Sequence, residues 1–297
     1  MVKFKVKFKL LSSCILNYMC RKVETPNGIK TALVTGANRG IGKAFVTEFA
    51  HMGLDCVLVG RNEKALFEVA ESLRKQYGVN TWVFIQDLSV PAAAQNVYEF
   101  CREQDIQVDI LVNNAGMLVF HEFETLLQGE VESILNLHVV CTTMLSYLFG
   151  KEMLKREKGF IINISSASAW MTFPGTQLYS STKRYIRDFS RSIFYEFKDR
   201  NVGVTVVCPS GVNTNFFPLS QKLRILGVRL GLLITPERLV KIAIRSSFAF
   251  RKQTIPTPFD NFFISFVRDL SDSTIFWIMD RLPQFKRKKP KNIPPDV

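Results

Sequence analysis

Histidine is scarce in this chain: three among 297 residues, at positions 51, 121 and 138, none spaced to share a metal ion. The six cysteines, at 14, 20, 56, 101, 141 and 208, form no C-x-x-C pair and no cluster with histidine. These absences argue against a zinc site and a disulfide framework, and they point to metal-independent chemistry in a reducing cytoplasm. Internal repeats and low-complexity linkers are missing too. No stretch reads as long and apolar enough to span a bilayer, which takes ~20 residues. Residues 10–20 follow four lysines and superficially resemble a signal peptide, but two serines and an asparagine interrupt them. With no small-x-small cleavage site behind them, an amphipathic surface anchor or a disordered leader is the better reading.

What is present is an ordinary folding composition, 47% hydrophobic and 22% charged, in a chain long enough for one large α/β domain. The net charge of +13 is concentrated at the ends. Residues 1–30 carry seven Lys/Arg against Glu24, and residues 281–297 carry six against Asp296, so +11 lies there and the body is nearly neutral. That distribution is a weak nucleic-acid footprint, and no specific nucleic-acid partner is expected. It fits a tether to anionic lipid, at about 1 kcal/mol per basic residue near the surface, or simply solubility. The expected home is the cytoplasm, free or on the cytoplasmic face of a membrane.

From residue 30 onward, short apolar runs alternate with longer stretches of helical periodicity. The runs lie at 31–35, 56–59, 82–85, 110–112, 160–164, 204–208 and, weakly, 254–255. The helical stretches lie at 41–52, 63–77, 91–104, 129–156, 177–199 and 236–250. Strands apolar on both faces, separated by helices, predict a Rossmann-like α/β fold: a doubly wound, seven-stranded parallel sheet with helices on both faces. Ligands are then expected at the carboxyl ends of the strands. This domain covers 29–256, between a basic and hydrophobic leader (1–28) and an aromatic, amphipathic and basic extension (257–297).

Four motifs sit where such a sheet would use them. The first run ends in Thr35-Gly36-Ala37-Asn38-Arg39-Gly40-Ile41-Gly42, just before a helix. Glycines there let the backbone turn sharply and approach a pyrophosphate, while the helix N-terminus offers free N–H groups. The second run ends at Arg61 with no acidic residue beside it, and Arg39 lies in the glycine turn. Two cations in these places favour a ribose 2′-phosphate, and hence NADP(H) over NAD(H). After the fourth run come Asn113, Asn114, Ala115 and Gly116, small enough for a cofactor to lie close. After the fifth come Ser165 and Ser166, and thirteen residues past Ser166 stands Tyr179, with Lys183 four further on. Positions i and i+4 share a helix face, so an ammonium beside the phenol is expected to lower a pKa near 10.

Together these residues resemble the short-chain dehydrogenase/reductase family, in its compact single-domain branch, over residues 29–256. Thr35 to Gly42 match its cofactor turn, Asp87 and Leu88 its adenine-contacting position, and Asn113 to Gly116 its N-N-A-G segment. Asn136, Ser166, Tyr179 and Lys183 match its catalytic tetrad. Pro209, Gly211, Val212 and Thr214 match the segment that contacts the nicotinamide side. Ser210 departs from the pattern, because the family usually has glycine directly after that proline.

The resemblance implies hydride transfer from a nicotinamide to a carbonyl carbon. Ser166 would steady the carbonyl oxygen, Tyr179 would donate the proton, and Lys183 would bind the ribose and tune the tyrosine. Asn136 would hold a water that links Lys183 to solvent. Ser165 competes with Ser166 for its role, and His138 reads as packing. The family also forms dimers or tetramers through the helices at 129–156 and 177–199, so a homodimer is one expectation.

Substrate rests on the greasy segments. Residues 212–234 lie where the family builds its substrate lid, and they are rich in Phe, Leu and Ile. Residues 257–285 carry seven further aromatic residues, with apolar faces at 262, 263, 266, 267 and 270 and at 275, 278, 279 and 282. Such faces serve as core, dimer interface or membrane surface. The leading expectation is an apolar ketone or alcohol on a long-chain lipid, of 3-oxoacyl or 3-ketosphinganine type. A hydroxysteroid or small-carbonyl reductase is the alternative, and a catalytically silent nucleotide-bound regulatory or scaffold protein is the alternative of another class.

Overall fold

The computed structural model describes residues 24–119, 122–171, 175–214 and 233–257, with isolated positions between 224 and 228 and between 260 and 281. The leader up to residue 23, most of the 215–232 segment and most of the positions named on the two apolar faces of the extension lie outside the described residues.

Seven parallel strands form one sheet: β1 (Thr31–Thr35), β2 (Asp55–Gly60), β3 (Thr81–Ile85), β4 (Ile110–Asn113), β5 (Gly159–Ile164), β6 (Val202–Val207) and β7 (Gln253–Thr254). Their spatial order is β3-β2-β1-β4-β5-β6-β7. The doubly wound α/β expectation is therefore met, and each strand lies within two residues of its expected run. Strands β1, β4, β5 and β6 are buried at every position. That is why their runs are continuously apolar rather than alternating. The order reverses direction between β1 and β4, so a crevice opens at the carboxyl ends of those two strands.

The helices are α1 (Gly40–His51), α2 (Glu63–Tyr77), α3 (Ala93–Glu103), α4 (Gln128–Lys155), α5 (Gln177–Phe197) and α6 (Pro236–Phe248). Phe45, Phe49, Leu66, Val69, Leu239 and Ala243 place α1, α2 and α6 on one side of the sheet. Val97, Leu145, Phe149, Met153 and Phe194 place α3, α4 and α5 on the other. Helix α4 corrects one expectation, because its 28 residues are long and apolar enough to cross a bilayer by length and composition alone. Its inner face is instead buried in the protein, Leu145, Phe149 and Met153 against the sheet and Ile134 and His138 beside Tyr179. Midway it widens into a π-helical stretch, Asn136–Cys141. Periodicity cannot show that widening.

One polar chain crosses this core. Asn113 and Asn163 stand opposite each other on β4 and β5. Asn113 Nδ2 donates to Asn163 Oδ1 (2.8 Å) and to Ser146 Oγ (3.1 Å), and Asn163 Nδ2 donates to Ser190 Oγ (2.9 Å). The two serine hydroxyls donate onward to the carbonyls of Thr142 and Ile186. Buried amides at these positions must be paired to be tolerated. Pairing through the sheet fixes α4 and α5, the two helices that carry the site, relative to each other.

Candidate active site

The glycine turn is built for close approach. Gly36 (φ +67°) and Gly40 (φ +55°) hold left-handed backbone, which costs other residues about 1 kcal/mol or more. Gly42 has ordinary backbone but no room: a Cβ there would stand 2.1 Å from the Gly36 carbonyl oxygen and 2.7 Å from Asn114 Nδ2. Arg39, the residue before α1, gives the helix no side-chain cap. The first amides of α1 thus lack a capping side chain at a positive helix end, as anion binding requires.

Asn114 ties β4 to this turn. Its Nδ2 donates to the carbonyls of Thr35 (2.8 Å) and Gly36 (3.4 Å). The Thr35 hydroxyl accepts the amides of Asn114 (2.9 Å) and Ala115 (3.0 Å) and donates to the Val112 carbonyl. From the other side, the Thr214 methyl faces Gly40, where a Cβ would meet it at 3.3 Å. The Pro209 carbonyl accepts the Ala167 amide at 2.8 Å, so the segment after β6 is stitched to the turn after Ser166. Val212 pairs with Ile234 in an isolated parallel bridge, and the Ile234 amide donates to the Gly211 carbonyl. The two ends of the 212–234 insertion therefore meet beside the crevice. Glycines 36, 40 and 42, Asn38, Ile41, Ala115 and Gly116 gather at its floor by their places just after β1, at the start of α1 and just after β4.

At the second strand end the structure joins two residues that were assigned separate tasks. Arg61 Nη1 lies 3.5 Å from Asp87 Oδ2, the arginine exposed and the aspartate half-buried. Burial alone would raise the Asp87 carboxyl. Hydrogen bonds from the Ser89 hydroxyl and amide, with the Arg61 charge, hold it below its usual range instead. Leu88 beside it is buried, while Arg39 is exposed on the rim.

Tyr179, Lys183 and Ser166 converge on the far wall, all buried. The Ser166 hydroxyl lies near enough to the Tyr179 phenol to oppose the rise in its pKa. Ser166 Oγ also accepts the Ser168 amide at 3.1 Å, the cap of the short 3₁₀ turn Ala167–Trp170. Ser165 points elsewhere, donating to the Lys183 carbonyl at 2.7 Å, so Ser166 is the serine at the phenol. Asn136 is half-buried at the start of the π-helical stretch. Among the described residues it makes no direct side-chain hydrogen bond to Lys183.

The electrostatics correct a second expectation. Lys183 Nζ lies 5.8 Å from the Tyr179 ring centre and donates to the Ile164 carbonyl at 2.9 Å. Burial pushes the phenol up to about 12, against a lowering by the Ser166 hydroxyl. Burial also pushes Lys183 down to about 8. In the protein alone the ammonium is turned to a strand end and is itself desolvated, so it does not bring the phenol toward neutrality.

A pH dependence of stability follows. The folded Lys183 titrates near 8, below its ordinary 10.5. Below both values the burial penalty stands in full. Between them the unfolded chain holds the extra proton, so stability rises with pH through that window. Lys183→Met should lose this rise: between pH 7 and 10 the wild-type Tm should gain several degrees relative to the variant. Parallel Tm-against-pH curves would refute the buried-lysine assignment.

His138 was read as packing, yet it touches both halves of the site. Its ring lies edge-on to Tyr179, with ring centres 6.0 Å apart. Only its place two residues beyond Asn136 hinted at this.

The profile of the short chain dehydrogenases matches residues 30–222. The chain belongs to the short-chain dehydrogenase family. It is 32% identical over 196 residues to a very-long-chain 3-oxoacyl-CoA reductase of Anas platyrhynchos, covering 64% of this chain and 62% of that protein. It is 31% identical to a 17-beta-hydroxysteroid dehydrogenase type 3 of Mus musculus, over 62% of this chain and 60% of the relative. It is 33% identical to the inactive hydroxysteroid dehydrogenase-like protein 1 of Homo sapiens, over 62% and 56%. The matched stretch thus spans about 60% of these relatives' own length. Among solved structures, a short-chain dehydrogenase from Sphingobium yanoikuyae in complex with NADPH superposes with a TM-score of 0.69 at 26% identity, covering 82% of this chain and 97% of that one.

Proposed function

We propose that this short-chain dehydrogenase is an NADPH-dependent carbonyl reductase acting on a ketone of a long-chain, lipid-like substrate, of 3-oxoacyl or 3-ketosphinganine type. The observation that carries the reading is the buried group Ser166, Tyr179 and Lys183, with Ser166 close enough to act on the phenol, at the same sheet edge as the glycine turn. The turn fits a dinucleotide: Gly36 and Gly42 let the turn, helix α1 and Asn114 pack too closely for any Cβ, and Arg39 leaves the helix start without its side-chain cap. Arg39 and Arg61 stand where a ribose 2′-phosphate would need cations, which favours NADPH.

Gly116 and the Pro209–Thr214 segment would hold the nicotinamide, which would supply the hydride when bound. Tyr179 passes its phenolic proton to the carbonyl oxygen as negative charge develops there. Ser166 donates to the same oxygen and lowers the cost of that charge. The high pKa of the phenol keeps it protonated and ready as an acid across neutral pH. Lys183, whose ammonium lies at the end of β5, would hold the nicotinamide ribose, and Asn136 would open its route to solvent.

The lipid preference draws on the apolar 212–234 and 257–285 segments and on the name of the 3-oxoacyl-CoA reductase relative. The basic ends suit a peripheral membrane contact that would deliver such a substrate. Steroid ketones form the second reading, favoured by the name of the hydroxysteroid dehydrogenase relative.

The test is NADPH oxidation by the full chain with 3-oxoacyl thioesters of increasing length, a steroid 17-ketone and small ketones, with NADH in parallel. Two further buried methylenes, about 1.6 kcal/mol, should raise kcat/KM roughly 15-fold, with NADPH preferred. A small ketone or the steroid outperforming every long thioester would overturn the lipid reading. NADPH binding without turnover of any carbonyl would establish the silent alternative.

A further inference from the structure

Behind Tyr179 lies a group that the proposed reaction leaves unused. His138 is wholly buried in the π-helical stretch of α4. Its Nε2 accepts the Met117 amide at 3.1 Å, one residue past the N-N-A-G segment. Its Nδ1 lies 2.9 Å from Thr182 Oγ1, on the turn of α5 between Tyr179 and Lys183. The Thr182 hydroxyl has one proton and faces the carbonyls of Leu178 (2.8 Å) and Tyr179 (3.0 Å).

These contacts leave one arrangement of protons. An amide can only donate, so Nε2 is bare. The threonine proton goes to a helix carbonyl, so Thr182 Oγ1 must accept, and Nδ1 carries the ring hydrogen. Burial, with the Lys183 charge nearby, opposes a second proton on the ring. Gly116 completes the junction: a Cβ there would stand 3.2 Å from His138 Nε2 and 3.6 Å from Lys183 Nζ. A residue with a side chain at 116 would separate loop, imidazole and ammonium.

We propose that His138 is a positioning residue which, as the neutral Nδ1–H tautomer, bolts the 114–117 loop on the cofactor side to the Tyr179–Lys183 turn and so sets the reach of the phenol. The loop follows β4 and the turn belongs to α5, and the imidazole hydrogen-bonds both. Two rigid bonds at opposite corners of one planar ring hold a spacing that a flexible side chain would not. The kinetic consequence rests on the reductase reading, whereas the tautomer and the loop contact do not.

The experiment has two arms on the full chain. In the first, ¹⁵N-histidine NMR from pH 5.5 to 8 should show one imidazole with its proton on Nδ1 and a bare Nε2 throughout. That signal should be missing from His138→Gln. Met117 amide exchange should quicken at least tenfold in His138→Leu and recover in His138→Gln, whose amide oxygen can replace Nε2. In the second arm, His138→Leu should lower kcat about 10- to 100-fold, change the ketone KM less than threefold and shift the pH midpoint of kcat. His138→Gln should restore most of that loss.

An Nε2–H or doubly protonated His138 overturns the proposal, as does a folded His138→Leu with unchanged Met117 exchange or unchanged kcat and pH profile. If His138→Leu fails to fold, the wild-type tautomer and His138→Gln decide: near-wild-type exchange and kcat in His138→Gln support the proposal, and quickened exchange or lost kcat there overturns it. If the wild type turns over no carbonyl, the reductase reading falls, while the first arm still decides for or against the bolt.

Discussion

Tyr179→Phe should lower kcat for ketone reduction by about 10³-fold while NADPH affinity stays within roughly threefold. The ring is buried, and phenylalanine preserves its volume and its edge contact with His138. What disappears is one hydroxyl, the partner of Ser166 and the proposed source of the proton. Positioned general acids contribute roughly 10²- to 10⁴-fold, and the solvent proton that would replace this one has no comparable placement. The loss should appear in kcat under saturating substrate, with NADPH affinity measured separately by fluorescence titration. An equally active variant would remove Tyr179 from the chemistry. A variant that no longer binds NADPH would mean that the phenol is structural.

The second large effect is expected at a residue with no side chain. Gly42→Ala should weaken NADPH binding at least about 100-fold, equivalent to about 2.7 kcal/mol, and lower Tm. Its φ is ordinary, so conformational strain is not the cause. The obstacle is space: the new methyl would stand 2.1 Å from the Gly36 carbonyl oxygen and 2.7 Å from the Gly36 carbonyl carbon. Both belong to backbone, which cannot swing aside as a side-chain tip can. Helix α1 would have to withdraw from the turn, taking its amides away from the phosphates and straining the Asn114 bonds to Thr35 and Gly36. Gly129→Ala is the control, because a Cβ there meets nothing within 4 Å. It should leave NADPH affinity unchanged. Undiminished affinity in Gly42→Ala would mean that the cofactor does not lie on this turn.

The apolar runs and helical periods were enough to place seven strands and six helices, because burial on both faces of a parallel sheet leaves an imprint in local sequence that needs no partner to be read. The glycine turn, Asn114, Ser166, Tyr179 and Lys183 were legible for the same reason: each sits at a fixed offset from a strand end. Four features were not. The π-helical widening at Asn136–Cys141 leaves the apolar period of α4 almost unchanged. His138 looked like core because one buried histidine resembles another until its partners on β4 and α5 are known. The Arg61–Asp87 pair joins the ends of two strands whose adjacency is decided by sheet order. The direction of Lys183 was the largest surprise, since i,i+4 spacing brings an ammonium and a phenol to one helix face without deciding whether the charge meets the phenol or the Ile164 carbonyl. By itself the sequence determined the family and the sheet, and it named candidates for the site. Only the tertiary structure decided which of those groups touch and how far burial moves their protons, because hydrogen bonding and desolvation depend on neighbours that the chain supplies from 20 to 80 residues away.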